Sequence, residues 1–239
     1  MKTTKLATIL LAAIGLSAVT APVFAYEAGD WLVRGRVITV APNDDSGRLY
    51  TDALSPGAYT SIGEGVKVDN DTVPELDITY MITRNWGVEL ILGFSEHNVA
   101  VHKGAEITAR GLGMNGSSQV IESKVLPPTL LLQYHFRPDG DVRPYLGAGI
   151  NYTYFFDEKV PSSSLVAAQG DDIKLDSSWG LAVQAGVDVA LNQDWFVNFD
   201  VKYIDIDTEA HFDGTAAARL KINTDIDPFV WGVGIGRRF

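Results

Sequence analysis

The chain closes with Phe229-Val230-Trp231-Gly232-Val233-Gly234-Ile235-Gly236-Arg237-Arg238-Phe239. Successive side chains of a strand point to opposite faces. Phe229, Trp231, Val233 and Ile235 therefore share one face, and Gly232, Gly234 and Gly236 share the other. A strand that is aromatic and aliphatic on one side, small on the other, and ends on an aromatic residue suits the closing strand of an outer-membrane barrel. One face of such a strand meets lipid and the other meets a lumen.

The opposite end agrees. Lys2 and Lys5 precede an apolar run from Leu6 to Val19, and Val23-Phe24-Ala25 places small residues where a signal peptidase reads. This predicts a cleaved secretory signal peptide over residues 1–25 and a single mature domain, residues 26–239, in the outer membrane of a Gram-negative bacterium. No later stretch offers the ~18 uninterrupted apolar residues of a membrane helix. Yet 46% of the chain is hydrophobic, spread thinly by alternation. Loss of Lys2 and Lys5 takes the net charge from −11 to −13. That balance argues against nucleic acid as a partner, since phosphate binding wants a basic face. With no cysteine, disulfides and thiolate metal sites are excluded. No cofactor and no metal site is expected, since a spacing such as Asp69 and Asp71 is too loose to specify one.

Eight segments alternate, over residues 31–40, 73–83, 86–97, 122–136, 142–156, 175–191, 195–206 and 220–239. Each is long enough for a tilted membrane strand of about 9–11 residues. Short links (84–85, 137–141, 192–194) alternate with long ones (41–72, 98–121, 157–174, 207–219). The expectation is an all-β fold, an eight-stranded antiparallel transmembrane β-barrel with short periplasmic turns and long extracellular loops. A soluble lipocalin-like barrel would turn its apolar face inward instead. The tryptophans choose between the two. Trp31, Trp86 and Trp195 open outward-running strands, and Trp179 and Trp231 lie near the start of returning ones, all on the apolar parity. That is an aromatic girdle at each membrane interface.

The other parity gives the lumen, with Arg34, Arg36, Glu75, Asp77, Glu89, Ile91, Gln133, His135, Arg143, Tyr145, Gln184, Asp188, Asn198, Asp200 and Lys202 among its residues. An eight-stranded barrel is little wider inside than its side chains, and buried charges must pair. Arg34, Arg36, Glu89, Arg143 and Asp188 are expected to form a charge plug in the periplasmic half. In the fourth strand, Pro127 and Pro128 remove two backbone donors from a sheet with no edge to hide the loss. Either the wall is weakest there, with pairing to both flanking strands reduced, or the prolines simply end the strand just above the membrane.

Several stretches resemble the OmpW family of eight-stranded outer-membrane proteins. They are Glu27-Ala28-Gly29, Asn85-Trp86-Gly87-Val88-Glu89-Leu90, Leu126-Pro127-Pro128-Thr129-Leu130, Arg143-Pro144-Tyr145-Leu146-Gly147-Ala148-Gly149-Ile150-Asn151-Tyr152, Trp179-Gly180, Tyr203-Ile204-Asp205-Ile206-Asp207-Thr208 and Asp227-Pro228. The resemblance implies a largely apolar channel closed toward the periplasm. It also implies passage of small, mostly hydrophobic molecules, with a sideways exit near the proline pair. Members can also act as colicin or phage receptors. The family gate pairs an aliphatic residue on the third strand with a tryptophan on the seventh. The matching positions are Ile91 and Lys202, and the lysine favours a more polar, amphipathic solute. The terminal assembly signal carries Phe239, but Arg237 stands where an aromatic is usual.

Passive uptake is the first functional reading, and a non-transporting structural or receptor barrel is the alternative. An enzyme is not expected: His97, His102 and His211 lie beside Glu96, Glu209 and Asp213 in loops or at the rim, but no nucleophile accompanies them. The partners implied are outer-membrane lipids and lipopolysaccharide, the barrel assembly machinery, and a small hydrophobic or amphipathic solute.

Overall fold

A computed structural model describes residues 25–43, 48–51, 58–64, 66–101, 118–164, 172–213 and 220–239. Residues 1–24 of the predicted signal peptide, and His102, lie outside them. In chain order the strands are β1 (Trp31–Ala41), β2 (Arg48–Thr51), β3 (Thr60–Glu64), β4 (Val66–Val68), β5 (Asp71–Met81), β6 (Trp86–Gly93), β7 (Ser95–Val101) and β8 (Gln119–Leu126). They continue as β9 (Thr129–His135), β10 (Val142–Lys159), β11 (Asp172–Leu175), β12 (Ser178–Ala190), β13 (Trp195–Ile204), β14 (Asp207–Asp213), β15 (Leu220–Asp225) and β16 (Phe229–Arg238).

Eight of these form the barrel. Neighbours run β12, β13, β16, β1, β5, β6, β9, β10, and β10 pairs back onto β12, so the antiparallel sheet closes on itself. Closure leaves the sheet without an open edge, which a chain in hydrocarbon requires. The outer surface is apolar. Val37, Leu76, Leu132, Leu146, Leu181, Phe199, Val233 and Ile235 are exposed, while Arg34, Asp77, Glu89, Gln133, Asp188 and Asn198 are buried inside. That inversion is the membrane arrangement and excludes the lipocalin-like alternative.

All five tryptophans face outward. Trp31 pairs in register with Tyr80, Trp86 with Tyr134, and Trp195 with Arg237. Ring centroids of Trp31 and Tyr80, and of Trp86 and Tyr134, lie 4.9 Å apart. This is the periplasmic girdle. Trp179 beside Tyr152 (4.7 Å) and Phe229 beside Tyr203 (5.3 Å) mark the external one.

The long links hold more strand than their polar composition suggests. β11, β14, β15, β2 and β3 form a separate five-stranded sheet. β8, β7 and β4 extend from the upper part of β10. Four of the segments expected to be continuous are each divided in two. The third breaks at Phe94, the fourth at Pro127-Pro128, the sixth between Leu175 and Ser178, and the eighth between Asp225 and Phe229.

Inward glycines give the buried residues room. A methyl at Gly236 would overlap the Phe196 ring, and one at Gly186 would overlap Tyr145. The small face of the last strand therefore accommodates large lumenal side chains contributed by its neighbours.

Candidate functional site

The lumen is built in three layers, each set by which residues alternate inward. At the base, Tyr26, Leu32, Met81 and Phe196 are buried together. The Tyr26 hydroxyl donates to Asp188 Oδ2 at 3.0 Å, and the Arg143 guanidinium lies 4.2 Å from the Tyr26 ring centroid. Arg143 Nε also donates to the Gly140 carbonyl at 2.8 Å. The N-terminal residue of the predicted mature chain thus folds into the barrel and fills its periplasmic mouth.

Above it lie two charged tiers. Arg34, fully buried, joins Glu89 (3.1 Å) and Asp188 (2.8 Å). Gln133 and Gln184 donate to Glu89 Oε2 at 2.7 and 3.0 Å, and Asn198 donates to Asp188 Oδ1 at 2.8 Å. One step higher, Arg36 meets Asp77 (2.5 Å), Glu75 (2.7 Å) and Asp200 (2.9 Å). Lys202 Nζ donates to both Glu75 oxygens, at 2.6 and 2.7 Å. The expected plug residues therefore divide. Arg34, Glu89 and Asp188 form one tier. Arg36 belongs to the tier above, with acids on β5 and β13. Arg143 stacks on the base. Removing any one partner from such a network would strand a buried charge.

The third layer is a chamber of about 1050 Å³, counting its open mouth. Its wall is apolar: Ile38, Val40, Val73, Ile91, Val125, Phe155, Ile204, Ile206 and Val230 all line it. Glu75 and Lys202 reach it from the tier below. Ile91 and Lys202, the matched gate positions, both border this chamber. The residues lie on the same strand parity as the charges beneath them. Ile38 and Val40 follow Arg34 and Arg36, and Ile204 and Ile206 follow Lys202. Of these apolar wall residues, only Ile91 is among the lumenal positions named from the sequence.

The proline pair stands in the chamber wall, and its effect is one-sided. Toward β10 the ladder persists: Asn151 pairs with Thr129, Tyr152 N–H donates to the Pro128 carbonyl at 3.1 Å, and Tyr154 pairs with Leu126. Pairing on that side survives because an antiparallel neighbour can still use the proline carbonyl as acceptor. Toward the third strand it does not persist. β6 pairs with β9 as far as Ile91 opposite Thr129, and β7 pairs with β8 from Ser95 opposite Val125. The residues between them, 92–94 and 126–128, form no rungs across this seam. The Pro127 carbonyl accepts instead from Thr129 Oγ1 (3.0 Å) and Asn151 Nδ2 (3.2 Å) inside the lumen. The expectation of weakened pairing on both sides is thus corrected to one. Phe94 and Pro127 both border the chamber at this seam, and Phe94 is 57% exposed on the outside.

One feature at the rim escaped the sequence reading. Asp205, Asp207 and Asp227 place carboxylate oxygens within 4.8 Å of one another. Partial burial, then the neighbouring Asp225, Asp205 and Asp227, push the Asp207 carboxyl above its ordinary range. Asp227 accepts the Ile206 N–H at 3.0 Å. Separately, His97 contacts Ser95 Oγ (2.9 Å) and the Asp69 carbonyl (2.8 Å) in the chamber wall. His211 pairs with Glu209 at 2.9 Å on the exposed outer sheet.

A barrel whose lumen is charged below and apolar above, with a proline-interrupted fourth strand, can be set beside known proteins. The model of the OmpW family matches residues 27–239. The chain belongs to the OmpW family. It is 34% identical to Outer membrane protein W of Vibrio cholerae serotype O1 over 240 residues, covering 100% of both chains. It is 37% identical to Outer membrane protein W of Escherichia coli K12 over 220 residues, covering 90% of this chain and 91% of that one. The crystal structure of OprG from Pseudomonas aeruginosa superposes with a TM-score of 0.78 at 38% identity, covering 91% of this chain and 99% of that one. The protein is accordingly a Gram-negative outer-membrane β-barrel of OmpW type.

Proposed function

We propose that this protein is a passive uptake channel for small hydrophobic and amphipathic molecules, which enter from outside and leave sideways through the wall at Pro127 and Pro128. One observation carries the reading. An apolar chamber stands on a filled, charged floor, and the seam where rungs are missing borders that chamber. A solute in the chamber faces the two charged tiers and the Tyr26 base below it. Beside it, separation of Phe94 from Pro127 breaks no ladder hydrogen bond at residues 92–94. Ile91 and Lys202 bound the lower end of the route.

Two further parts belong to the same proposal. Export uses the segment ending at Ala25, and its removal leaves Tyr26 to fill the base. Phe239, beside Arg237 at 4.7 Å from its ring centroid, is the aromatic that the barrel assembly machinery engages, and lipopolysaccharide surrounds the external girdle.

The test is uptake into proteoliposomes of a small labelled apolar solute. Replacing Pro127 with Val and Pro128 with Thr restores one backbone donor to the seam and one toward β10. Uptake should fall several-fold while the barrel becomes more resistant to unfolding. Undiminished uptake by a correctly folded double variant would reject the lateral exit. Absence of uptake by the unaltered protein would favour a structural or receptor barrel.

A further inference from the structure

The uncharged polar side chains of the chamber are gathered beside the seam. Ser95, His97, Ser123 and Thr129 line it from β7, β8 and β9, the segments on either side of the missing rungs. His97 stands in register with Ser123, and Ser95 with Val125. Around them the wall is apolar, with Ile91, Ile121 and Val125. On the opposite side of the barrel the lining hydroxyls are Thr208 on β14 and Thr224 on β15. At the floor, Lys202 Nζ is held on both Glu75 oxygens.

A hydroxyl has one hydrogen to give and lone pairs that receive, and the contacts of this wall say where the hydrogens go. A backbone carbonyl only accepts. The Asp69 carbonyl lies 2.8 Å from His97 Nδ1, so that nitrogen carries the ring hydrogen. In a neutral imidazole Nε2 is then an acceptor, and Ser95 Oγ, at 2.9 Å, donates to it. Ser123 Oγ donates to the Lys124 carbonyl at 3.3 Å. Thr129 Oγ1 donates to the Pro127 carbonyl at 3.0 Å and accepts from Asn151 Nδ2 at 2.9 Å. Across the chamber, Thr208 Oγ1 donates to the Asp176 carbonyl at 2.8 Å. The hydroxyl hydrogens of the seam wall are thus turned into the protein. What Ser95 and Ser123 offer a solute is oxygen lone pairs.

A solute whose polar group only accepts, such as a ketone, brings an acceptor to acceptors. It gives up its hydrogen bonds to water without replacement at this wall. An alcohol brings the hydrogen that these serines lack. The geometry points to a hydroxyl-binding subsite at Ser95 and Ser123, which selects small apolar alcohols. The solute O–H donates to a serine oxygen beside the seam, and its apolar body rests on Ile91, Ile121 and Val125. This rests on the uptake reading and narrows its solute class.

Apolar alcohols cross lipid unaided, so the test reads binding. Menthol and menthone share a carbon skeleton and differ in the hydroxyl hydrogen. Each is titrated, at matched free concentration, into the isotope-labelled protein in lipid nanodiscs, and the amide resonances of the chamber wall are followed. Menthol should bind about fivefold more tightly, the size of one net hydrogen bond. His97→Leu releases the Ser95 hydrogen to the chamber and should bring the affinities together. The ring nitrogen resonances of His97 in the unaltered protein should show hydrogen on Nδ1 and none on Nε2, so a folding failure of the variant does not end the test. Hydrogen on Nε2, equal or tighter binding of menthone, or an undiminished preference in folded His97→Leu overturns the subsite while leaving uptake standing. Binding of neither compound overturns the chamber as a solute site, and the uptake reading with it.

Discussion

The upper and lower halves of this lumen are lined by the same strands at the same parity, yet one is a chamber and the other is solid. Below, Arg34 and Arg36 extend from β1 across the barrel and collect acids from β5, β6, β12 and β13. Above, Ile38 and Val40 occupy the next inward positions of β1 and reach only the wall. Long charged side chains that must be satisfied fill an eight-stranded barrel. Short branched ones leave its centre open. The difference shows that the occupancy of the lumen follows side-chain reach and pairing, since the strand count is common to both halves.

The comparison can be broken most forcefully at Arg34. Arg34→Met leaves Glu89 and Asp188 buried with their shared cation gone. Loss of one partner from a buried pair costs about 3–5 kcal/mol. Urea unfolding in lipid vesicles should show that loss, or failure to form the heat-modifiable barrel. Stability within about 1 kcal/mol of the unaltered protein would mean that the lower half is wetter than the geometry indicates.

A paired truncation sharpens the contrast. Phe196 is sealed at the base with Tyr26, Leu32 and Met81, so Phe196→Ala should cost about 3–5 kcal/mol, as for an aromatic removed from a closed core. Ile204 borders space that is already open, so Ile204→Ala adds little new cavity and should cost about 2 kcal/mol, the low end for a buried isoleucine. Equal costs by the same unfolding measurement would make the two halves alike.

The smallest effect is at the rim. Asp207 opens β14 above the external girdle, and burial and its acidic neighbours raise its carboxyl. A raised folded-state value means the folded protein holds the proton more tightly. The ionised form is penalised at neutral pH, and the penalty is relieved as pH falls through the raised value. Unfolding midpoints should therefore show a slight gain for Asp207→Asn near neutrality, and the variant should lose the corresponding gain on acidification.

The fold was legible because the membrane imposes a period-two code that survives in a single sequence: Trp31, Trp86, Trp179, Trp195 and Trp231 all fall where parity placed them. The loops were less so. β2, β3 and β14 are paired strands within stretches expected to be links, and Gly, Ser, Asp and Asn in the first link read as turn chemistry. The site was legible in its residues and not in their grouping. Arg36 and Asp200 come together only through the register of β1, β16 and β13. The one-sided gap at the prolines depends on the Asn151 side chain, which tethers the Pro127 carbonyl from another strand.

The central claim is that solute leaves through the seam beside the prolines. Flanking rungs, Ile91 with Thr129 and Ser95 with Val125, place Gly93 opposite Pro127. A side chain at Gly93 meets its nearest neighbour at 3.6 Å, an ordinary contact. The chain has no cysteine of its own, so Gly93→Cys with Pro127→Cys introduces a single lockable pair. Flux of a labelled amphipath into proteoliposomes, measured on one preparation before and after reduction, isolates the seam. The account predicts flux near the protein-free level when the pair is oxidised and recovery on reduction. Flux that is unchanged by forming the disulfide would contradict it and place the exit elsewhere.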